Sequence, residues 1–367
     1  MSVTGKLQES SADGCIKAAK LKSIPRNYEQ FGDQIATQMP AESSRAKLLE
    51  FGTSIARVLM KGETMGKQSG STVAIVGPGR LGQAMGRLLH AAGVQVRFVV
   101  ARKLERARSA TSFIGGGNAL TLKDRHLSEA DVILLTTSDA AIAPVAGRLA
   151  KYRKDWSGRI ILHACGSLAA SVLDPFNMRG AAVGSLHPYQ TVPSPSAGVR
   201  NLPGCYWAVE GDRPAVALAR RWVKLLDGKA FAIAPEFKPL YHLSAFLVCP
   251  TVVTLMDCAE RLLGQAGVPK KVIRPMLGKF VSETVDNFVA FGGRKSLTGP
   301  AVRGDWATLQ RHIAQLQRFA PEVIPAYVEL VDLMLDVGGG SSGGGEKAGR
   351  DKKTSNKRPP ATGCRGK

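Results

Sequence analysis

The chain has 367 residues, enough for about two domains, and its 44% hydrophobic content can supply their cores. Its formal charge of +21 raises nucleic acids and acidic membranes as partners, but the first 70 residues hold only +3 and the last 30 only +6. Because a site for a small anion also needs positive charge, the basic balance does not by itself imply nucleic acid, and we expect none. The partner that we expect is a small molecule.

Cysteine usage and apolar run lengths indicate the compartment. The six cysteines form no Cys-x-x-Cys pair and show no ligand-like histidine spacing, so we expect reduced thiols and no metal site. We find no apolar run of the roughly 18 residues that a membrane span needs, and the N-terminus lacks a charged start followed by an apolar core. The prediction is a cytoplasmic protein that is not exported.

Residues 1–70 read as an extension before the first domain. The segment 41–61 has apolar residues at roughly helical spacing, which predicts one helix that packs on the core or on a partner. Residues 67–71 read as the linker into the first strand.

The stretch 71–108 has the strongest pattern in the chain. Two apolar runs, Val73–Val76 and Val94–Val100, flank a helical segment that ends near His90, and the letters GPGRLG stand between the first run and the helix. Within a strand–turn–helix unit of about 30 residues, this spacing is typical of a dinucleotide-binding turn. A structural glycine turn is the alternative.

Each glycine of this turn has a physical purpose. Gly77 allows the sharp turn, Gly79 lets a pyrophosphate approach bare backbone, and Gly82 lets helix and strand pack closely. The positive end of the helix dipole then faces the anion. The predicted cofactor contacts of the turn are Gly77, Pro78, Gly79, Arg80, Leu81 and Gly82.

The end of the second strand distinguishes the two nicotinamide cofactors. NAD-binding units carry a carboxylate there, on the ribose 2′-hydroxyl, whereas this chain has Arg102 and Lys103. Together with Arg80, these cations would suit a 2′-phosphate, so the sequence favours NADP over NAD. Solvated basic residues are the alternative reading, and neither NAD nor a deazaflavin coenzyme is excluded.

Apolar runs then alternate with helical patterns, which predicts a parallel sheet covered on both faces. After a helix at Leu104–Phe113, strands are predicted at Ala130–Leu135, Arg159–His163 and, with its loop, Ala181–Thr191. Residues just past such strand ends line the ligand crevice of a doubly wound sheet, although ordinary turns and structural histidines occupy the same positions. The predicted cofactor contacts here are Thr137, Ser138 and His163; His187 is a further ligand-facing candidate.

The pattern changes beyond the last strand. A strand at Tyr206–Val209, a helix at Pro214–Leu226 and a strand at Ala230–Ile233 precede a region of long helices only. These are predicted at Leu240–Leu263, Val272–Phe291, Asp305–Arg318 and Pro321–Asp336. The predicted parts are an extension (1–70), a nucleotide-binding domain (71–234), a helical domain for substrate and dimerisation (235–336), and a glycine/serine linker with a basic tail (337–367).

Four motifs occur in one order: GPGRLGQAMG, GSLHPYQT, KPLYHLSAF and LTGPAVRGD. In this combination the chain, over about 71–336, resembles the bacterial family that joins a Rossmann-like domain to a C-terminal domain of unknown function 2520. That family is similar in plan to pyrroline-5-carboxylate reductase, ketopantoate reductase and 6-phosphogluconate dehydrogenase. The resemblance implies a doubly wound α/β domain that binds NAD(P), an all-α dimerising domain like the C-terminal domain of 6-phosphogluconate dehydrogenase, and an active cleft between them.

The motifs also supply catalytic candidates. Histidine suits proton transfer because its pKa lies near neutrality, and tyrosine can donate a hydrogen bond. An arginine with an aspartate could grip an anionic substrate or the cleft wall, the alternative being a loop ion pair with the aspartate capping the next helix. The predicted catalytic residues are His187, Tyr241, His242, Arg303 and Asp305.

One position departs from the family pattern. Where the family has an asparagine about eight residues past the Tyr-His pair, this chain has Pro250. We expect proline within the predicted buried helix to kink it, and the lost polar group puts turnover in question.

Three functions fit the sequence. The first is an NADP-dependent oxidoreductase that transfers a hydride between NADPH and a small keto or imino acid. The second is a non-catalytic NADP-binding sensor or scaffold, which Pro250 favours. The third is polyanion binding by the basic tails, with steep salt dependence. We take the first as the prediction.

Overall fold

The computed structural model describes residues 71–339 of the chain. They form two compact units that divide after Leu243, whereas the sequence predicted the boundary after residue 234. The predicted extension 1–70 with its helix, and the predicted linker and tail from residue 340 onward, lie outside the described residues.

The first unit is built on one eight-stranded sheet with the order β3-β2-β1-β4-β5-β6-β7-β8. Strands β1 to β6 are parallel, but β7 runs antiparallel to β6, and β8 is parallel to β7. The predicted doubly wound sheet is therefore confirmed with a reversed last pair. The strands are β1 Thr72–Val76, β2 Gln95–Ala101, β3 Asn118–Thr121, β4 Val132–Leu135, β5 Ile160–His163, β6 Ala182–Pro188, β7 Tyr206–Gly211 and β8 Lys229–Ala232.

Helices cover both faces of this sheet. Because side chains alternate along a strand, Val73 and Ile75 of β1 enter one apolar core while Ala74 and Val76 enter the other. Burial on both faces explains why the central strands read as continuous apolar runs. The helices are α1 Arg80–Ala91, α2 Leu104–Ile114, α3 Asp139–Leu149, α4 Asp174–Asn177, α5 Pro195–Asn201 and α6 Arg213–Leu225.

Among the elements of the first unit that were not predicted are the strand β3 and the helix α3. Strand β3 has only four residues, and none of them is fully buried. Its sequence therefore did not need, and does not contain, a continuous apolar run. Helix α3 contains Pro144 and many alanines, which weaken its apolar periodicity. Both elements are held by neighbours that a local pattern does not reveal.

The rest of the described chain is helical. Its elements are α7 Lys238–Val248, α8 Pro250–Gln265, α9 Lys270–Phe291, α10 Gly293–Ser296, α11 Pro300–Arg303, α12 Trp306–Phe319 and α13 Ile324–Gly338. Helix α7 begins in the first unit and ends in the second. The described part of the second unit contains no strand, which agrees with the predicted all-α architecture.

The predicted long helix at Leu240–Leu263 is two helices. Cys249, with φ −112° and ψ −80°, separates them, and Pro250 is the first residue of α8, where a missing N–H costs little. The carbonyl of Phe246, which the absent N–H of Pro250 would have served, accepts a hydrogen bond of 3.1 Å from Thr251 Oγ1. Pro250 therefore interrupts the predicted helix, as expected of a proline, but α8 contains no buried residue, whereas the sequence predicted a buried helix.

The segment Pro235–Gln265 corrects another expectation. Counted as one helical span across Cys249, it is the segment of the described residues that is long and apolar enough, by length and composition, to cross a membrane. The apolar runs of the sequence predicted no span of that length. Its first turns, however, carry Lys238, Tyr241 and His242, which the first unit uses as described below.

Candidate active site

The glycine turn after β1 is shaped by close contacts. Gly77 has φ +87°, and a Cβ there would lie 2.8 Å from the backbone nitrogen of Thr137. A Cβ at Gly82 would lie 2.8 Å from the carbonyl oxygen of Gly77 and would overlap Thr136. These two positions therefore admit only glycine without rearrangement.

Gly79, in contrast, faces open space. A Cβ there would meet only the carbonyl oxygen of Gly77, at 4.0 Å, and both Gly79 and Arg80 are exposed. Gly79 is the N-cap of α1, whose first turn contains no acidic residue. Bare backbone at the positive end of a helix dipole is an anion site, so this turn can receive a pyrophosphate. Pro78 and Leu81 belong to the same turn, and the carbonyl of Pro78 accepts a hydrogen bond of 3.0 Å from Gln83 Nε2.

The residues after β4 adjoin this turn. The hydroxyl of Thr136 donates to the carbonyl of Gly77 at 2.7 Å, which ties the two strand ends together. Thr137 Oγ1 is buried and has no hydrogen-bond partner among the described residues. A buried hydroxyl without a partner is costly, which marks Thr137 as a group that a bound ligand would satisfy. Ser138 is exposed and is the N-cap of α3.

Two cations follow β2 at the same edge of the sheet. The backbone nitrogen of Gly77 donates to the carbonyl of Val100 at 2.9 Å, which brings the end of β2 beside the glycine turn. Arg102 and Lys103 come directly after β2, and both are exposed. The edge thus presents Arg80, Arg102 and Lys103 and no carboxylate at the predicted ribose position.

His163 is fully buried at the end of β5. Its Nε2 lies 3.2 Å from the carbonyl oxygen of Ala169, and its Nδ1 accepts from the backbone nitrogen of Cys165 at 3.2 Å. Burial lowers the pKa of His163 to about 4, so the ring is neutral. Both ring nitrogens serve the loop after β5, which leaves neither for the cofactor contact that the sequence predicted. His163 acts by holding that loop.

The structure brings together three of the predicted catalytic residues: His187, Tyr241 and His242. His187 Nδ1 lies 2.9 Å from the hydroxyl of Tyr241, and the ring centroids of His187 and His242 are 5.7 Å apart. We assign the phenol as the donor to Nδ1; the backbone carbonyl of His187 is a more distant acceptor for the same phenol, at 3.5 Å. This assignment leaves the proton of His187 on Nε2.

Burial sets the protonation of this group. It lowers the pKa of His187 to about 3, with further lowering by His242 and Lys238. Burial also raises the pKa of the Tyr241 phenol, with smaller contributions from Tyr189 and Cys205. A neutral imidazole therefore faces a neutral phenol at physiological pH, and both are hydrogen-bond donors.

Gly166, in the loop after β5, packs against both imidazoles. A Cβ at this position would lie 2.6 Å from His242 Nδ1 and 2.8 Å from His187 Nε2. His242 Nδ1 is buried and has no hydrogen-bond partner in the described part of the chain. The glycine thus lets the two rings approach the end of β5.

Beneath His187 lies a buried lysine that the sequence reasoning did not select. The Nζ atom of Lys238, with no exposed side-chain surface, donates to Ser185 Oγ at 2.6 Å and to the carbonyl of Cys165 at 3.2 Å. Glu210 lies 3.6 Å from the same nitrogen and also accepts from the backbone nitrogen of Ala170 at 2.7 Å. Ser185, Glu210 and Lys238 are too far apart in the sequence to form a recognisable motif. The one signal for Lys238 was its helical spacing, three and four residues before Tyr241 and His242.

Arg303 and Asp305 belong to the second unit. The carboxylate of Asp305 accepts from the backbone nitrogen of Thr308 at 3.1 Å and from its hydroxyl at 2.7 Å, so it caps α12. These bonds to Thr308 lower the pKa of Asp305. The cap is the role that the sequence offered as the alternative to gripping a substrate. Arg303 is exposed at the end of α11.

Solved structures share this fold at low sequence identity. Protein TM1727 from Thermotoga maritima is 22% identical over 73% of this chain and 98% of its own, with a TM-score of 0.56. The proposed NADP oxidoreductase BF3122 from Bacteroides fragilis is 20% identical over the same shares, with a TM-score of 0.59. The reductive aminase from Aspergillus terreus, in complex with NADPH and ethyl levulinate, is 16% identical over 74% of this chain and 96% of its own, with a TM-score of 0.57.

Family models match both parts of the chain. A Rossmann-like domain matches residues 61–188, and a domain of unknown function 2520 matches residues 205–333. No curated protein matches the chain. The chain therefore joins a Rossmann-like domain to a domain of unknown function 2520, in the order that its four motifs had indicated.

Proposed function

We propose that this protein is an NADP-dependent oxidoreductase that transfers a hydride between NADPH and a small keto or imino acid. The observation that carries the proposal is the glycine turn, open at Gly79 and bordered by the unpartnered hydroxyl of Thr137. Such a turn at the carboxyl end of a parallel strand is where doubly wound sheets bind dinucleotides.

The choice of NADP rests on charge. Arg102 and Lys103 occupy the place of the carboxylate that would bind a ribose 2′-hydroxyl, and Arg80 adds a third exposed cation. Guanidinium groups suit phosphate because they donate two parallel hydrogen bonds. The reductive aminase that shares the fold was also solved in complex with NADPH.

The bound cofactor would supply the hydride, and the chain must then orient the substrate and stabilise charge. The neutral His187 carries a proton on Nε2, and Tyr241 keeps its phenolic proton because its pKa is raised. Through its Nε2–H, His187 can donate to a carbonyl oxygen or an imine nitrogen as negative charge develops there, while the O–H of Tyr241 holds His187 in that tautomer. We propose that His242, beside them, orients the same substrate group.

The test is a calorimetric titration of the purified protein with NADPH, NADH and NADP. We expect NADPH to bind more tightly than NADH, and Arg102→Ala to weaken NADPH binding at least tenfold, about 1.4 kcal/mol. Arg221→Ala is the matched control, since Arg221 is exposed on α6 at the other end of the sheet. Absence of binding by any nicotinamide would contradict the proposal.

A second candidate is a cofactor-binding sensor or scaffold without turnover. The observation that favours it is Pro250, in place of the asparagine that the family resemblance leads one to expect. One measurement distinguishes the two candidates. Keto or imino acids should cause oxidation of NADPH, followed by its absorbance, only if the protein catalyses a reaction. Tight binding without oxidation across such a panel would favour the sensor.

We further propose a homodimer formed through the helical unit, in the cytoplasm and away from membranes and nucleic acid. Large apolar side chains of α9 are exposed in the single chain, among them Phe280 at 72% and Val289 at 79%. Exposed apolar surface of this extent is typical of an interface. The cysteine usage, with no Cys-x-x-Cys pair, supports reduced thiols and hence the cytoplasm.

A further inference from the structure

Buried polar side chains are concentrated at one place in the first unit. Five polar or charged residues are buried among the described residues, and four of them lie together: His163, Ser185, Glu210 and Lys238. Burying such groups costs free energy unless each finds partners, so a cluster of this kind calls for an explanation in function or specificity. His187 lies beside this cluster and is itself affected by the charge of Lys238.

Lys238 joins three parts of the sheet edge to one helix. Its ammonium group donates to Ser185 on β6 and to the carbonyl of Cys165 in the loop after β5, and pairs with Glu210 on β7. Lys238 is also the first residue of α7. Because residues three and four apart share a helix face, Lys238, Tyr241 and His242 point to the same side of α7.

We propose that Lys238 is a positioning residue, whose buried contacts fix the first turn of α7 and so hold Tyr241 in hydrogen-bond contact with His187. The proposal deepens the proposed function, since it concerns how the proton-donating groups of that site are held. Lys238 itself touches no substrate, because its ammonium group is enclosed by protein.

The same contacts explain why a lysine is tolerated here at all. Burial lowers the pKa of Lys238, and the carboxylate of Glu210 opposes that change. The ammonium donates two hydrogen bonds, to Ser185 and to the carbonyl of Cys165, and the carboxylate of Glu210 at 3.6 Å balances its charge. Removing Lys238 alone would leave Glu210 as a buried, unpaired carboxylate, which is strongly destabilising.

The test therefore replaces the pair. In Lys238→Met with Glu210→Gln, both charges are removed and the amide oxygen can still accept from Ala170. Imidazole ¹⁵N spectra of the wild type should show His187 as one neutral tautomer, protonated on Nε2. In the double variant, we expect a mixture of tautomers, as the hydrogen bond from Tyr241 loosens. Lys224→Met, an exposed lysine on α6, is the control and should leave the spectrum unchanged.

Ser185→Ala provides a second, milder variant, because it removes one hydroxyl from the buried set without leaving a charge. We expect a smaller fraction of the second His187 tautomer than in the double variant. If the double variant does not fold, Ser185→Ala is the variant that tests the proposal. A single Nε2-protonated tautomer of His187 in every folded variant would overturn the proposal. The NADPH affinity of each variant, measured in parallel, should differ less than twofold from that of the wild type. If the wild type does not bind NADPH at all, the proposed function is contradicted, but the tautomer result still tests the role of Lys238.

Discussion

Gly79 and Gly82 stand three residues apart in one turn, yet their substitution should have opposite consequences. A methyl group at Gly79 enters open space, and φ of −75° suits any residue. We therefore expect Gly79→Ala to fold with an unchanged melting temperature while NADPH affinity falls at least tenfold, because the methyl group occupies the path of the pyrophosphate. Calorimetry and thermal unfolding on the same sample measure both effects.

Gly82→Ala supplies the comparison. Its Cβ would lie 2.8 Å from the carbonyl oxygen of Gly77 and would overlap Thr136, so α1 must move away from the end of β1. The expected loss is about 1–3 kcal/mol of unfolding free energy, the usual cost of overpacking. Equal stability of the two alanine variants would contradict the roles assigned to these glycines.

Two buried histidines should make the protein sensitive to acid. The folded pKa values of His163 and His187, about 4 and about 3, lie below the unfolded value of 6.5, because burial disfavours the charged ring. The unfolded chain therefore binds protons first, and stability falls as the pH drops below about 6.5. For each of the two histidines, the free energy of unfolding should fall by about 2 kcal/mol between pH 7 and pH 5.

Urea unfolding at pH 7 and pH 5 measures that loss. His163→Asn should remove part of the difference between the two pH values. His126→Asn is the control: Asp124 raises the pKa of this exposed histidine, so its contribution has the opposite sign and the acid loss should not shrink. Identical unfolding curves at both pH values in the wild type would refute the assignment of neutral, buried rings.

At the scale of the element, the break between α7 and α8 gives a prediction about two neighbouring residues. The hydroxyl of Thr251 donates a hydrogen bond to the carbonyl of Phe246, because Pro250 has no N–H to donate. Thr251→Val should therefore cost up to about 1 kcal/mol of unfolding free energy, and less in a Pro250→Ala background, where the new N–H reaches the same carbonyl. A double-mutant cycle by urea unfolding measures the coupling, and strictly additive effects would show that the two groups do not substitute for each other.

The elements also show what a sequence can reveal. Strong apolar runs such as Val132–Leu135 and the spaced glycines after β1 were predicted from local pattern, since the sheet is buried on both faces. The reversal of β7 and the site beneath His187 were not, because both depend on pairing between residues far apart in the chain. Glu210 and Lys238 meet only after β7 has turned back beside β6.

At the scale of the whole molecule, the helical unit predicts self-association. Phe280 and Val289 are exposed on α9, in a unit where few described residues are buried. We expect the wild type to be a dimer by light scattering, and Phe280→Glu with Val289→Glu to raise the dimer dissociation constant at least tenfold. Lys271→Glu, an exposed polar position on the same helix, should leave the dimer intact. A monomeric wild type at micromolar concentration would contradict the proposed interface.

Helix α7 starts before the first unit ends, and this has a practical consequence for dissecting the molecule. A fragment that stops where the last strand stops, near residue 234, would carry every strand of the sheet but would leave out Lys238, Tyr241 and His242. Glu210 would then lose the ammonium group that balances its charge, and His187 would lose its contact with Tyr241. The natural end of the first unit is therefore the middle of a helix, after Leu243.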